Sequence, residues 1–148
     1  MSSIYLDTEF NGFGGNLLSL AMVTSENEEW YEVLEYDESK LDPWVQANVL
    51  PELKKSKPLP YKEFRESFLN FMKKQGNASI FVDWPSDLVY FFQLILGENH
   101  TQTFFAGYKT QILEDLIIIS EVPHHALHDA RAIKKAHLEY LLVRANLY

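Results

Sequence analysis

Cysteine is absent from this 148-residue chain, which removes disulfide scaffolds, thiol nucleophiles and thiolate zinc sites together. Any metal must be held by oxygen or imidazole. Basic residues are few: 13 Lys and Arg stand against 21 Asp and Glu, a net charge of −8 with the histidines neutral. That balance argues against a broad basic nucleic-acid surface, but not against an enzyme whose acids gather around bound cations. Long apolar runs are also missing, the longest having the length of a buried strand rather than of a membrane span. Met1-Ser2-Ser3 carries no basic charge and the first apolar stretch breaks at Asp7, so no targeting signal is read and the cytoplasm is the expected compartment. Repeats and low-complexity segments are lacking too.

What is present suits a packed core. Apolar residues make up 47% and aromatics 14%, and the length points to a single domain spanning 1–148. Residues 4–10 alternate as a strand, 17–24 form a near-continuous apolar run typical of a buried strand, and 29–36 have strand composition again. Asn11-Gly12-Phe13-Gly14-Gly15 reads as the turn between the first two. The Lys- and Pro-rich stretch 54–60 is loop-like and leads into a helix over 61–75, with Phe64, Phe68, Leu69, Phe71 and Met72 on one stripe and Gly76 as its stop. A short strand at 78–82 follows, then a helix at 86–96 crowded enough to be buried on most sides. Another strand is expected at 101–106, a short apolar element at 116–119, and a last, longest helix at 126–145. Three strands followed by alternating helices and strands predict an α/β domain with a mixed sheet.

Three places carry chemistry. In Tyr5-Leu6-Asp7-Thr8-Glu9-Phe10, the period of a strand sends Asp7 and Glu9 to the same face, where their repulsion would be relieved by a cation. On that spacing alone, a wet sheet face holding two acids is the simpler reading. In Asp83-Trp84-Pro85-Ser86-Asp87-Leu88, Asp83 would end a strand and Asp87 open a helix. The helix dipole and a cap from Ser86 account for the second acid, although strand ends in α/β sheets are where ligands bind. In Pro123-His124-His125-Ala126-Leu127-His128-Asp129, Asp129 shares a mainly apolar helical stripe with Ala126, Ile133, Ala136 and Tyr140. A carboxylate facing a core is costly unless a cation or hydrogen bonds compensate it, so here the functional reading leads.

Other features are weaker. His124 and His128 have a zinc-ligand spacing if both lie on one helix, but no glutamate follows His124 and no third ligand is near. His125 and His137 read as ordinary surface or interface residues, and His100 sits in a polar turn. The glycine run lacks the strand–loop–helix setting and lysine of a phosphate loop. The serines lack a nucleophile-elbow context. Lys54, Lys55, Lys57, Lys73 and Lys74 read as solvated surface.

In order along the chain, Asp7-x-Glu9, Asp87 and His124-x-Ala126-x-x-Asp129 resemble the three motifs of the DEDDh exonucleases of the RNase H-like (DnaQ) superfamily. The segment Trp44-Val45-x-x-x-Val49-Leu50-Pro51-x-Leu53, and Asp87-x-Val89 with Gln93-Leu94, look like the small stand-alone mycobacterial 3′–5′ exoribonuclease family and its phage and prophage relatives. The resemblance covers almost the whole chain. It implies an RNase H-like mixed sheet flanked by helices and four metal-binding carboxylates, Asp7, Glu9, Asp87 and Asp129. It further implies that His124 activates water and that two Mg²⁺ or Mn²⁺ ions serve each site. Asp83 is a rival to Asp87, whose downstream match favours it, and His125 a rival to His124, which the spacing to Ala126 and Asp129 selects. The implied reaction removes nucleoside 5′-monophosphates from the 3′ end of RNA. Single-stranded DNA is the alternative polymer, and a homodimer is implied by relatives alone. Phe10, Trp44 and Trp84 are candidates for base stacking, or else core. The competing class is a non-catalytic acidic module that mimics or binds nucleic acid, whose acids should spread over an exposed surface.

Overall fold

The computed structural model describes residues 1–99 and 107–147. Among them, strands β1 (Ser2–Phe10), β2 (Leu17–Thr24), β3 (Glu29–Val33), β4 (Ala78–Val82) and β5 (Tyr108–Ile112) form one sheet in the order β3-β2-β1-β4-β5. The first three strands make an antiparallel meander, and β4 and β5 run parallel to β1. β2 is buried along its whole length, as its unbroken apolar run requires. The chain is an α/β domain with a mixed sheet flanked by helices, the RNase H-like arrangement expected from the sequence.

Helices α3 (Tyr61–Gln75) and α4 (Pro85–Leu96) cover one face. There Phe64, Phe68, Met72, Phe91 and Leu94 pack on Ile4, Leu6, Leu20, Met22 and Ile80. Helix α5 (Ala126–Ala145) covers the other face. Its Ala126 and Ala130 lie against Ala21 and Val23, small side chains on both sides letting helix and sheet approach closely. Lys134 is buried on the same helix and anchors the β2–β3 turn: its Nζ donates to the carbonyl of Thr24 at 2.7 Å, to Asn27 Oδ1 at 2.7 Å and to the carbonyl of Ser25 at 3.2 Å. Arg131 adds a bidentate pair to Glu29.

Several elements differ from expectation. β3 ends at Val33, where the chain leaves β2 for the segment before α3: the Leu34 N–H still donates to the Leu18 carbonyl at 2.8 Å, but the Val33 carbonyl accepts from the Leu59 N–H at 2.8 Å and the Glu35 N–H donates to the Leu59 carbonyl at 2.9 Å. Two short helices not anticipated, α1 (Pro43–Asn48) and α2 (Leu50–Leu53), fill the connection that follows. Asp42 caps α1 by accepting from the Trp44 N–H at 2.9 Å. Helix α4 is one-sided rather than buried all round, leaving Val89, Phe92 and Leu96 exposed. Its N-cap is Trp84, with Pro85 in the first turn, so Ser86 does not cap it. Residues 116–119 form neither strand nor helix; Leu116 and Ile118 tuck against Tyr5, Leu113 and Ile133 while Ile117 and Ile119 face outward. The expected strand at 101–106 and His100 lie outside the described residues. The predicted α5 stripe is buried through Ala136, but Tyr140 is exposed, as is everything described from 138 onward, including Leu138, Leu141, Leu142 and Val143. No helix among the described residues is long and apolar enough to cross a membrane.

Candidate active site

Strand alternation sends Tyr5, Asp7 and Glu9 toward the α5 face, and β1 pairs regularly with β2 until an irregularity between Glu9 and Phe10. Such a break in register lets a strand end turn its side chains. β4 ends beside β1, so Asp83 and the first turn of α4 come up alongside Asp7, while the N-terminus of α5 brings Asp129 from the other side. The result is two groups of three carboxylates with one member in common. Asp7, Asp83 and Asp87 place ligand atoms within 4.8 Å of one another, and so do Asp7, Glu9 and Asp129. All five acids line one cleft of about 700 Å³, together with His124, Trp44, Trp84, Phe13 and Asp42.

The structure thus brings together Asp7, Glu9, Asp87, Asp129 and His124, and it sets Asp83 beside Asp87 rather than in its place. The two acids are spaced i, i+4, but only Asp87 is inside α4; Asp83 precedes it. Asp87 is held by Thr8, whose Oγ1 and N–H donate to Oδ1 at 2.6 and 3.2 Å. Nothing in the sequence marks Thr8 for this role, because alternation assigns it to the opposite face of β1 from Asp7 and Glu9.

This cluster is short of positive charge. Asp7 and Asp87 are only 9% and 2% exposed, and each has an Oδ2 that is buried without a hydrogen-bond partner. Burial holds the Asp7 carboxyl well above the usual carboxylate range, and Asp87, Glu9, Asp129 and Asp83 push it the same way. Glu9 is pushed up to about 8, first by burial and then by the charges of Asp129 and Asp87. Asp87 is pushed up to about 7 by burial and by Asp83, against the two bonds from Thr8 that draw it down. Burial raises Asp83 as well. Orphaned buried oxygens and carboxyls that resist ionisation fit a bound divalent cation, and oxygen donors of this kind suit Mg²⁺ or Mn²⁺.

His124 precedes α5, whose N-cap is His125, so His124 and His128 do not share a helical face. That removes the zinc-type pairing and leaves His128 near Glu121, at 4.0 Å. The backbone of His124 is left-handed at φ +63°, a conformation costing a residue with a Cβ about 1–2 kcal/mol. It is held there by Asp129, whose Oδ2 accepts the His124 N–H at 3.1 Å. The imidazole meets the Trp44 ring edge to face at 4.9 Å. Trp44 is itself located by Asn11, which accepts from the Asp42 N–H at 2.7 Å and donates to the Lys40 carbonyl at 3.1 Å, tying the β1–β2 turn to the start of α1.

Trp44 and Trp84 remain 54% and 62% exposed at the cleft, so both are available for stacking. Phe10, the third candidate, is partly buried: it packs on Tyr90 with ring centroids 5.1 Å apart and against the core, while also lining the cleft. A fourth aromatic, Phe13, stands fully exposed on the cleft rim between Gly12 and Gly14, which take positive φ values of 70° and 71°. His125 lies half-buried against Tyr31 and His128. His137, expected at the surface or an interface, is buried between Tyr5 and Phe81, its Nδ1 hydrogen-bonded to Tyr5 Oη at 2.9 Å. It faces the β1–β4 side of α5, packed between side chains of both strands. Lys54, Lys55 and Lys74 form exposed surface pairs with Glu38, Glu52 and Glu28.

No protein-family model matches the chain, and no curated protein matches it in sequence.

Proposed function

We propose that this chain is a divalent-metal-dependent phosphodiesterase acting as a 3′–5′ exonuclease. The observation that carries the reading is the pair of carboxylate triads sharing Asp7, each with ligand atoms within 4.8 Å, around buried oxygens that lack any partner. Asp7, Asp83 and Asp87 would hold one Mg²⁺ or Mn²⁺, and Asp7, Glu9 and Asp129 a second. Bound there, the ions supply the positive charge that lowers the cost of water attack and of the departing oxygen at an anionic phosphodiester.

The protein groups divide the remaining work. Thr8 fixes the rotamer of Asp87, and Asp129 holds the strained His124 backbone so that the imidazole stays on the cleft wall. From that position His124 accepts the proton of the attacking water, a contribution of about 10²–10⁴ in rate. Trp44 and Trp84 give an unpaired terminal base two flat surfaces, each stacking worth about 1–3 kcal/mol.

The 3′–5′ polarity rests on the resemblance of the three motifs, RNA as the preferred polymer, the nucleoside 5′-monophosphate product and a homodimer on the resemblance to the small exoribonuclease family, and a cytoplasmic setting on the lack of a targeting signal at Met1-Ser2-Ser3. An acidic mimic of nucleic acid would present its charges outward, whereas the central acids here are buried. The test is digestion of end-labelled RNA and DNA, single- and double-stranded, with Mg²⁺ or Mn²⁺. Stepwise shortening from the 3′ end, faster on RNA, is the expected result. Internal cleavage, shortening from the 5′ end or no cleavage at all refutes the reading.

A further inference from the structure

A second cavity, of about 450 Å³, adjoins the acid cleft on the other side of the β1–β2 turn. The turn is a shared wall: Gly12 and Phe13 line the acid cleft, and Gly14, Gly15 and Asn16 line the second cavity. Helix α4 is common to both as well, giving Asp87 to the first and Val89, Tyr90 and Gln93 to the second. Between them stands the Phe10–Tyr90 ring pair, centroids 5.1 Å apart, with Tyr90 Oη donating to the Gly15 carbonyl. One ring pair and one tight turn therefore separate the two spaces.

The walls of the second cavity say what it takes. Tyr36, Tyr61 and Tyr90 supply aromatic surface, and the exposed Gln93 amide supplies both a donor and an acceptor, the combination that reads the edge of a heterocyclic base. Glu35 and Asp37 at its border repel a phosphate, so an uncharged base is favoured inside. Lys40 on the same border, 3.9 Å from Asp37 and largely exposed, is placed for a backbone phosphate outside. We propose that this cavity is a base-binding subsite for a nucleotide upstream of the 3′-terminal one, so that the strand crosses the β1–β2 turn with its end among the acids. The inference rests on the exonuclease reading and adds to it a preference, read as a higher kcat/KM, for strands with more than one unpaired nucleotide.

Two substrates separate the subsite from the chemistry. The p-nitrophenyl ester of a nucleoside 5′-monophosphate contains one nucleoside and reaches only the acid cleft; a single-stranded hexanucleotide fills both spaces. Val89→Trp places an indole at the cavity from a position already 52% exposed, and Gln93→Ala removes the amide without adding bulk. Val89→Trp is expected to lower the hexanucleotide-to-ester ratio of kcat/KM at least ten-fold, mainly through KM, and Gln93→Ala to lower it several-fold. In a His124→Ala background with Mg²⁺, 2-aminopurine one position in from the 3′ end should be quenched on binding, and Val89→Trp should restore its emission. An enzyme active on both substrates whose ratio is unmoved by either variant overturns the subsite alone. A wild-type protein that cleaves neither overturns the exonuclease reading and the subsite with it.

Discussion

Replacing Asp87 by asparagine should stabilise the metal-free protein while abolishing its activity. Asp87 is 2% exposed and its carboxyl is pushed from 3.8 to about 7, which corresponds to about 4 kcal/mol of unfavourable placement once it is ionised. The sign follows from linkage. Below about pH 4 the group is neutral both folded and unfolded and the cost is absent; it grows as pH rises and is fully present above about 7. Asparagine keeps an oxygen to accept both Thr8 bonds and sets an amide donor beside Asp7 and Asp83. Relaxation of the cluster in the wild type reduces the recoverable part to roughly 1–3 kcal/mol, or roughly 3–10 °C in melting temperature for a chain of this size. The assay is thermal unfolding in EDTA from pH 4 to 9. Wild type should lose stability across that range, and Asp87→Asn should lose less, the two curves meeting at the acid end. An Asp87→Asn protein that melts below wild type at pH 8 without metal would show that the cluster is not charge-strained, and the argument for a cation there would fail.

Four further outcomes follow from the same geometry. Saturating Mn²⁺ at about 100 times its dissociation constant should raise wild-type stability by roughly 2.7 kcal/mol in thermal melts, EDTA should reverse it, and Asp7→Asn, which removes the shared ligand, should abolish most of the gain. His124→Ala should lower kcat by about 10²–10⁴ while Mn²⁺ binding measured by calorimetry stays near wild type, because the imidazole belongs to neither triad. Lys134→Met should lower stability by about 1–3 kcal/mol in chemical denaturation, since it removes three charge-assisted bonds to the β2–β3 turn and leaves the buried Thr24 carbonyl only its bond from the Asn27 N–H. If a second copy covers the exposed end of α5, Leu142→Glu should shift the sedimentation coefficient from dimer to monomer without changing the helical signal.

The parts of the fold legible in the sequence were those with a strong period or a long apolar run. Residues 17–24 and the Phe64–Phe68–Met72 stripe bury as their patterns demand. What escaped depends on partners distant along the chain. Where β3 ends is decided by Leu59, which takes over the pairing of Val33 and Glu35, and α1 and α2 are too short for any period, held instead by the Asp42 cap and by Val45, Val49 and Leu53 packing on Leu18 and Val33. The apolar crowding of α4 hid its outer face, because Val89 and Phe92 are as hydrophobic as the side chains that bury. At the cleft, strand alternation correctly put Asp7 and Glu9 together, and the α5 stripe correctly brought Asp129 inward. Spacing alone could not show that Asp83 and Asp87 stand side by side, since that requires β4 and α4 to meet next to β1. The roles of Thr8, Asn11 and Lys134 were invisible for the same reason: each bonds a group on another element, and nothing local marks it.

On the proposed reading, carboxylates from β1, from Asp83 just after β4, from α4 and from α5 hold two divalent ions around Asp7. Anomalous diffraction from crystals soaked in Mn²⁺ addresses it most directly. Two manganese peaks in the acid cleft, both touching Asp7, one with Asp83 and Asp87 and the other with Glu9 and Asp129, are expected. A cleft without manganese at saturating concentration, or ions bound only at outlying surface acids, would contradict it.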